Sequence, residues 1–339
     1  MNCWLGLQLL FGVFEIQVKQ FMNTYLVTGG AGFIGSHIVD MLVKQNAHVR
    51  VLDNFSTGKR ENLQHLKSAI ELIEGDIRDR EVVNKTLEGV DYVLHQAALG
   101  SVPRSIENPV ETNEVNVTGT LNLLHQAKAA GVKRFVFASS SSVYGNTPSL
   151  PKRENMPLQP LSPYATSKLA AEQYALIFFH VYSLPVVCLR YFNVFGPRQD
   201  PHSQYAAVIP RFIDAFLINK NPIVYGDGEQ TRDFTYVENV VSANLRACIC
   251  EAATGKAINV ACGSPHSLNE LLQILQTIFK RKIEPRYADC RPGDVRDSLA
   301  AIEQAQNLLG YRVIVNFREG LERTVRSVLG KVELDSTPV

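Results

Sequence analysis

Residues Thr28 to Gly35 read TGGAGFIG, with Gly29, Gly32 and Gly35 spaced three apart. Before them, Thr24 to Thr28 (TYLVT) is a short β-branched and aromatic run. After them, Phe33 to Lys44 carries Ile34, Ile38, Met41 and Leu42 at helical spacing. A second strand-like run follows at His48 to Leu52 (HVRVL). A glycine triplet alone is weak evidence, but between strand, helix and strand it reads as the phosphate turn of a dinucleotide-binding unit. The first glycine permits the tight turn, the second lets backbone approach a pyrophosphate, and the third lets helix and strand pack closely. The pyrophosphate then lies at a helix N-terminus, where free N–H groups and the dipole favour an anion. Asp53 closes the second strand 18 residues beyond Gly35, near the roughly 20 expected for an acid that binds the adenine ribose. A carboxylate there accepts from a ribose 2′-hydroxyl and repels a 2′-phosphate, which favours NAD over NADP. Lys59 and Arg60 follow closely and temper that preference.

Outward from this unit the alternation continues. Strand-like runs lie at Ile70–Ile73, Tyr92–His95, Phe135–Ala138 and Val186–Leu189. Helical patterns occupy Arg80–Leu87, Val110–Ala130 and Tyr164–Tyr182. This alternation predicts a parallel sheet covered on both faces, with its ligand at the carboxyl ends of the strands. Beyond Tyr191 the alternation weakens, and shorter helical runs follow near Val208–Ile218, Val237–Cys250, Ser267–Phe279 and Phe317–Leu329. The expected fold class is α/β, a Rossmann-type doubly wound parallel sheet with a smaller C-terminal α/β substrate lobe. The expected division is 22–190 for the nucleotide-binding domain, 191–332 for the lobe with some chain interleaving, and 333–339 for a frayed tail. Residues 1–21 are apolar-rich, yet nothing before Glu15 is charged and Val18-Lys19-Gln20 is a poor cleavage site. They read as a non-native extension, with Met22 opening the folded chain.

The charge balance, 34 Lys and Arg against 33 Asp and Glu, leaves no basic footprint for nucleic acid or an anionic membrane. A local cationic pocket for a small anion remains compatible with it. No CxxC pair or zinc-type spacing occurs among Cys3, Cys188, Cys248, Cys250, Cys262 and Cys290, so a reduced, cytoplasmic chain without structural metal is expected. No uninterrupted apolar stretch reaches about 18 residues, the length that signals a membrane span.

Tyr164 and Lys168 stand four apart in SPYATSK, on one face of a predicted helix. A tyrosine has a pKa near 10, and service as a base near neutrality needs a drop of roughly three units, about 4 kcal/mol. A nearby ammonium and the positive nicotinamide of NAD supply such stabilisation. Ser139 to Ser142 follow the fifth predicted strand, so hydroxyls stand at the carboxyl edge of the sheet.

Together TGGAGFIG, VLDN, GDIRD, HQAA, SSSSVYG and YATSK resemble the extended short-chain dehydrogenase/reductase family, over about nine-tenths of the chain. Within that family the chain is most similar to nucleotide-sugar 4-epimerases, especially those acting on UDP-N-acetylglucosamine. The segments AALGSVPRS, RYFNVFGPRQDP, QYAAVIPRF, GDGEQTRDF and RPGDVRDS carry that likeness. The resemblance implies Ser140, Tyr164 and Lys168 as catalytic residues, with Ser141 as the fallback serine. It implies cofactor contacts from Gly29, Gly32, Phe33, Ile34, Gly35, Asp53, Asn54, Asp76, Ile77, Gln96, Ala97, Ala98 and Asn116, besides Tyr164 and Lys168. Asn116 also shapes the catalytic helix. For the substrate it implies Ser101, Arg104, Ser140, Ser141, Tyr164, Asn193, Val208, Arg232, Arg291, Asp294 and Ser298. Arginines suit a diphosphate because they bind it bidentately.

Relatives that eliminate water or carbon dioxide carry an acid just before the Val/Ile-Tyr-Gly, where this chain has Ser141 and Ser142. That leaves reversible oxidation at carbon 4 of a UDP-sugar, with NAD retained through each cycle. Ser298 falls where related epimerases set the room beside the sugar, and its small side chain favours UDP-GlcNAc and UDP-GalNAc. Asp297, where a histidine is usual, leaves the sugar open between these, UDP-glucose/UDP-galactose and uronic forms. The competing readings are a UDP-uronate 4-epimerase, a nucleotide-sugar 4-reductase and a non-catalytic NAD-binding sensor. A homodimer through a four-helix interface is implied by the resemblance.

Overall fold

In the computed structural model the described residues are 23–201, 207–289 and 296–335, with side chains to 330. The extension at 1–21 and the start at Met22 therefore lie outside them. Seven strands form the central sheet: β1 (Thr24–Thr28), β2 (His48–Asp53), β3 (Glu71–Glu74), β4 (Tyr92–His95), β5 (Arg134–Ser140), β6 (Val186–Tyr191) and β7 (Lys256–Val260). Their order is β3-β2-β1-β4-β5-β6-β7, and every pair is parallel. The chain steps outward from β1 to β3 and then crosses to β4 on the other side of β1. A crevice opens at the carboxyl ends where the direction reverses.

Successive strand side chains point to opposite faces, and each face has its own core. Val27, Val51, Leu94, Val136, Leu189 and Ile258 pack with α1 (Phe33–Lys44) in one buried cluster. Leu26, Leu52, Val93, Phe135, Phe137 and Val186 pack on the other face, against α2 (Arg80–Leu87), α3 (Thr120–Ala129) and α4 (Pro163–Tyr182). Burial on both faces explains why these strands read as apolar runs rather than alternating ones.

The periodic elements form where expected, but the helix expected over Val110–Ala130 is broken. Pro109–Asn113 runs into a π-helical turn, Glu114–Gly119, before α3 begins. Such turns insert a residue into the helical ladder and re-aim side chains; this one contains Asn116. β7 is a strand the sequence reading missed. It comes from the C-terminal half, so that half interleaves with the nucleotide-binding sheet. α5 (Val208–Leu217), α6 (Val237–Ile249), α7 (Leu268–Phe279) and α8 (Glu303–Leu309) belong to that half with small paired strands. The final helix, α9 (Phe317–Asp335), runs past Glu333, where a tail was expected.

Candidate active site

A cleft of about 640 Å³ opens along the carboxyl edge of the sheet. Its nucleotide end is built by the glycine turn. Gly29 adopts φ +66°, and a Cβ there would lie 2.7 Å from the Ala97 backbone nitrogen, so the turn abuts the end of β4. A Cβ on Gly35 would lie 2.2 Å from the Gly29 carbonyl oxygen, which fixes how closely α1 meets β1. The N-terminus of α1 at Gly32 has no side-chain cap and no acid in its first turn, leaving donor groups for an anion.

Asp53 is buried at the end of β2. Its carboxylate accepts from the Ala31 N–H at 2.9 Å and the Phe55 N–H at 2.8 Å. Burial raises its pKa, and those two N–H groups oppose the rise. Phe33, Ile34, Asn54, Asp76, Ile77, Gln96, Ala97 and Ala98 line the same cleft. Asn54 Nδ2 donates to Asp76 at 2.8 Å. The Arg78 guanidinium, hydrogen bonded to Asp76, lowers that carboxyl to about 2. Lys59 pairs with Asp200 at 3.1 Å. Arg60 pairs with Glu74 and lies over the Phe55 ring, 3.9 Å from its centroid. Both cations near Asp53 are thus engaged by protein acids. An open helix N-terminus, glycines where a Cβ would collide, and a buried acid ending the second strand together fit a dinucleotide.

Tyr164 and Lys168 project from the first two turns of α4 into the cleft. Ser162 caps this helix by accepting from the Ala165 N–H at 3.1 Å, and Pro163 occupies its first position. Burial raises the Tyr164 pKa, while a hydrogen bond with Ser140 lowers it. Ser140 thus acts on Tyr164 in the direction of the phenolate. Burial pulls Lys168 down to about 8, with Cys188 and Glu172 opposing. Its ammonium sits 4.7 Å above the Phe137 ring centroid. Ser140 Oγ accepts from the Ser142 N–H at 3.2 Å and the Ser142 hydroxyl at 2.9 Å, so its own proton is available to Tyr164.

Ser101 and Arg104 line the cleft, and Ser101 caps the short helix Val102–Glu107. In that helix Ser105, absent from the sequence candidates, accepts from the Tyr164 N–H at 3.0 Å. Asn116 does not line the cleft. It is buried behind it, where its Oδ1 accepts from the Leu99 N–H at 2.8 Å. Its Nδ2 donates to the Leu99 carbonyl and to Ser167 Oγ, at 3.2 and 3.0 Å. It therefore ties the loop after β4 to the helix of Tyr164. His95, held between Thr28 and Thr120, is kept neutral by burial, with its pKa near 3.

At the substrate end Ser141 and Asn193 line the cleft. Asn193 Nδ2 donates to Ser298 Oγ at 3.2 Å, which sets Ser298 directly behind it. The unusual Asp297 accepts from the Thr231 N–H and hydroxyl at 3.1 and 2.8 Å, so it braces a strand end. Val208 opens α5 without lining the cleft. Arg232 does not line it either; its guanidinium donates to the Thr231 and Arg296 carbonyls at 2.8 and 2.7 Å. Arg291 and Asp294 lie outside the described residues. Sequence reasoning overlooked Arg198, which does line the cleft. Its Nη2 pairs with Asp40 at 2.7 Å, while its Nη1 is buried without a hydrogen-bond partner among the described residues. Its signal was present in the quoted RYFNVFGPRQDP.

A doubly wound sheet, an open phosphate turn and a Ser-Tyr-Lys group in one cleft define a Rossmann-type, dinucleotide-dependent enzyme. The chain belongs to the NAD dependent epimerase/dehydratase family, whose sequence profile matches residues 25–261. It is 38% identical over 304 residues to the UDP-glucose 4-epimerase of Mycolicibacterium smegmatis, covering 88% of this chain and 96% of that protein. It is 40% identical over 316 residues to a UDP-N-acetyl-alpha-D-glucosaminuronate decarboxylase of Bacillus cytotoxicus, covering 89% and 96% respectively. Among solved structures it resembles the UDP-N-acetylglucosamine 4-epimerase of Methanobrevibacter ruminantium M1, in complex with UDP-N-acetylmuramic acid. The TM-score is 0.88 at 41% identity, over 91% of this chain and 99% of that one. Among the described residues no helix is long and apolar enough to cross a membrane.

Proposed function

We propose that this NAD-dependent enzyme interconverts the 4-epimers of a UDP-sugar, with UDP-GlcNAc and UDP-GalNAc as the favoured pair. The observation that carries this reading is the convergence of Ser140, Tyr164 and Lys168 on one cleft, where Ser141 and Ser142 stand in place of an acid. Because the family also contains decarboxylases, kinship alone does not select the reaction. Without an acid at those positions, elimination and decarboxylation lack their proton-transfer group.

NAD, when bound, supplies reversible two-electron oxidation at carbon 4. Gly29, Gly32 and the N-terminus of α1 would hold its pyrophosphate, and Asp53 its adenine ribose. Tyr164, as phenolate, takes the proton of the 4-hydroxyl. Ser140 donates to the oxygen that carries the charge, and Lys168 keeps a cation in reach. The same tyrosine returns the proton after the sugar has presented its other face. Arg104 and Arg198 are the cleft's arginines among the described residues, and both suit a diphosphate. The test is incubation with a panel of UDP-sugars and no added cofactor. Epimers of UDP-GlcNAc should form fastest, whereas a decarboxylated or reduced product would refute the reading.

Ser298 supports the sugar preference through its hydrogen bond to cleft-lining Asn193. A tyrosine there would displace that contact and fill the space beside the sugar. Ser298→Tyr is expected to lower kcat/KM for UDP-GlcNAc at least about tenfold more than for UDP-glucose, since a methylene-sized misfit already costs about 10–200-fold. Equal losses on both sugars would refute the size gate.

We read the assembly as a homodimer. Tyr174, Ile177 and Val181 share one face of α4 and are 42, 49 and 61% exposed, and Ile106 and Val110 on the adjoining segment are 64 and 67% exposed. A second copy would bury this apolar face. Ile177→Glu should weaken the dimer by about two orders of magnitude, read as monomer mass by sedimentation. An unchanged mass would remove this face from the interface.

A further inference from the structure

At the floor of the cleft, buried polar side chains form a connected set. Glu172 is wholly buried and Arg190 nearly so. Glu172 Oε1 accepts from Arg190 Nη2 at 2.6 Å, and its Oε2 accepts from Arg190 Nε at 3.0 Å and from the Ser139 hydroxyl at 2.6 Å. Arg190 Nη1 donates to the Tyr144 phenol oxygen at 2.8 Å, and Tyr144 donates to Asn259 Oδ1 at 2.7 Å. Ser139 and Arg190 are register partners on β5 and β6.

The set joins the elements that carry the reacting groups. Glu172 stands four residues beyond Lys168 and eight beyond Tyr164, on the same face of α4. Ser139 immediately precedes Ser140 at the end of β5, and Tyr144 ends the turn that Ser140 caps. A buried ion pair is a poor way to add stability, because apolar residues of similar volume do as well without the desolvation cost. What the charges and the hydroxyl provide is direction. They anchor the strand end and the helix to each other through bonds with fixed geometry.

We propose that Ser139, Glu172 and Arg190 are positioning residues that fix the Ser140 hydroxyl against Tyr164. The proposal rests on reading Ser140 and Tyr164 as the reacting pair. Ser139 then contributes nothing when Ser140 has no hydroxyl to place, whereas a residue that only supports the fold would act independently of Ser140.

The test compares Ser139→Ala, Ser140→Ala and the double variant as NAD-loaded protein, with UDP-GlcNAc as substrate. Ser139→Ala should lower kcat about tenfold, as expected for a misplaced catalytic contact. KM and bound NAD should stay within about twofold of the parent, on the same principle that only the reacting geometry has moved. The double variant should be no slower than Ser140→Ala alone, and Ser139→Thr, which keeps the hydroxyl, should restore turnover. If Ser139→Ala melts early, Ser139→Cys gives the same comparison with a weak donor of similar size. Parental kcat in Ser139→Ala and Ser139→Cys, or losses that multiply in the double variant, would overturn the proposal. If Tyr164→Phe and Ser140→Ala are slow while Ser139→Ala is not, only this inference falls. If Tyr164→Phe keeps its turnover, the underlying reading falls with it.

Discussion

Tyr164→Phe is expected to lower kcat by about 10²–10⁴-fold, the range of a lost general acid–base group, while the purified protein keeps its NAD. The substitution removes one oxygen from a ring that lines the cleft, so packing and helix capping persist. KM should change little, because the phenol acts on the reacting proton rather than on the diphosphate. The pH dependence follows from the groups around the ring. Burial raises the Tyr164 pKa and the Ser140 hydrogen bond lowers it. The active form is the phenolate, so kcat should rise with pH on the limb set by this group. Ser140→Ala removes the lowering influence and should move that limb to higher pH. Lys168, drawn down to about 8 by burial, loses its charge above that value, which should flatten the alkaline side. A Tyr164→Phe variant with parental turnover would show that another group moves the proton.

The second large effect is expected at Gly35. An alanine Cβ there would lie 2.2 Å from the Gly29 carbonyl oxygen and 2.8 Å from Gly30 Cα. Both are backbone atoms of the turn, so no flexible side chain can give way. Alanine improves helix propensity by about 1 kcal/mol, but forcing a methyl group into packed backbone costs about 1–3 kcal/mol or more. The relief available is a shift of α1 away from β1, which moves the donors of its N-terminus away from the pyrophosphate position. Gly35→Ala should therefore purify without NAD, melt several degrees lower and show less than about 1% of parental turnover, since a misplacement near 1 Å costs about 10²-fold. Full cofactor content measured by absorbance after denaturation would refute this account of the turn.

What the sequence made legible was local. The strand, turn and helix from Thr24 to Lys44 follow from apolar periodicity and glycine spacing within a few turns of chain. The same holds for Arg80–Leu87 and Tyr92–His95. β7 escaped because Asn259 interrupts its apolar run. That asparagine is there for a reason far away in sequence: it binds Tyr144 and the carbonyls of Lys152 and Ala301. The π-helical turn escaped because its cause is tertiary, the clamp of Asn116 on Leu99 and Ser167.

The candidate site divides in the same way. Residues inside short motifs, such as Gly29, Asp53, Ser140, Tyr164 and Lys168, line one cleft. Residues defined by pairing across the fold were harder to read. Glu172 and Arg190 lie 18 positions apart on different elements, although an acid on the Tyr164–Lys168 face was a visible sign of the pair. Arg232 carries a charge suited to a diphosphate, and its guanidinium donates to the Thr231 and Arg296 carbonyls. Arg198 lines the cleft with one guanidinium nitrogen buried and without a partner among the described residues, and it lies in a segment quoted for the resemblance without being singled out.

The central claim is that the hydrogen taken from carbon 4 is the one returned to it, without exchange with water. The direct measurement is conversion of UDP-GlcNAc in D₂O by the purified protein without added cofactor, followed by separation of the epimers and mass analysis of each. The account predicts UDP-GalNAc carrying no deuterium at carbon 4. Deuterium at that carbon, or no epimer at all, would contradict it.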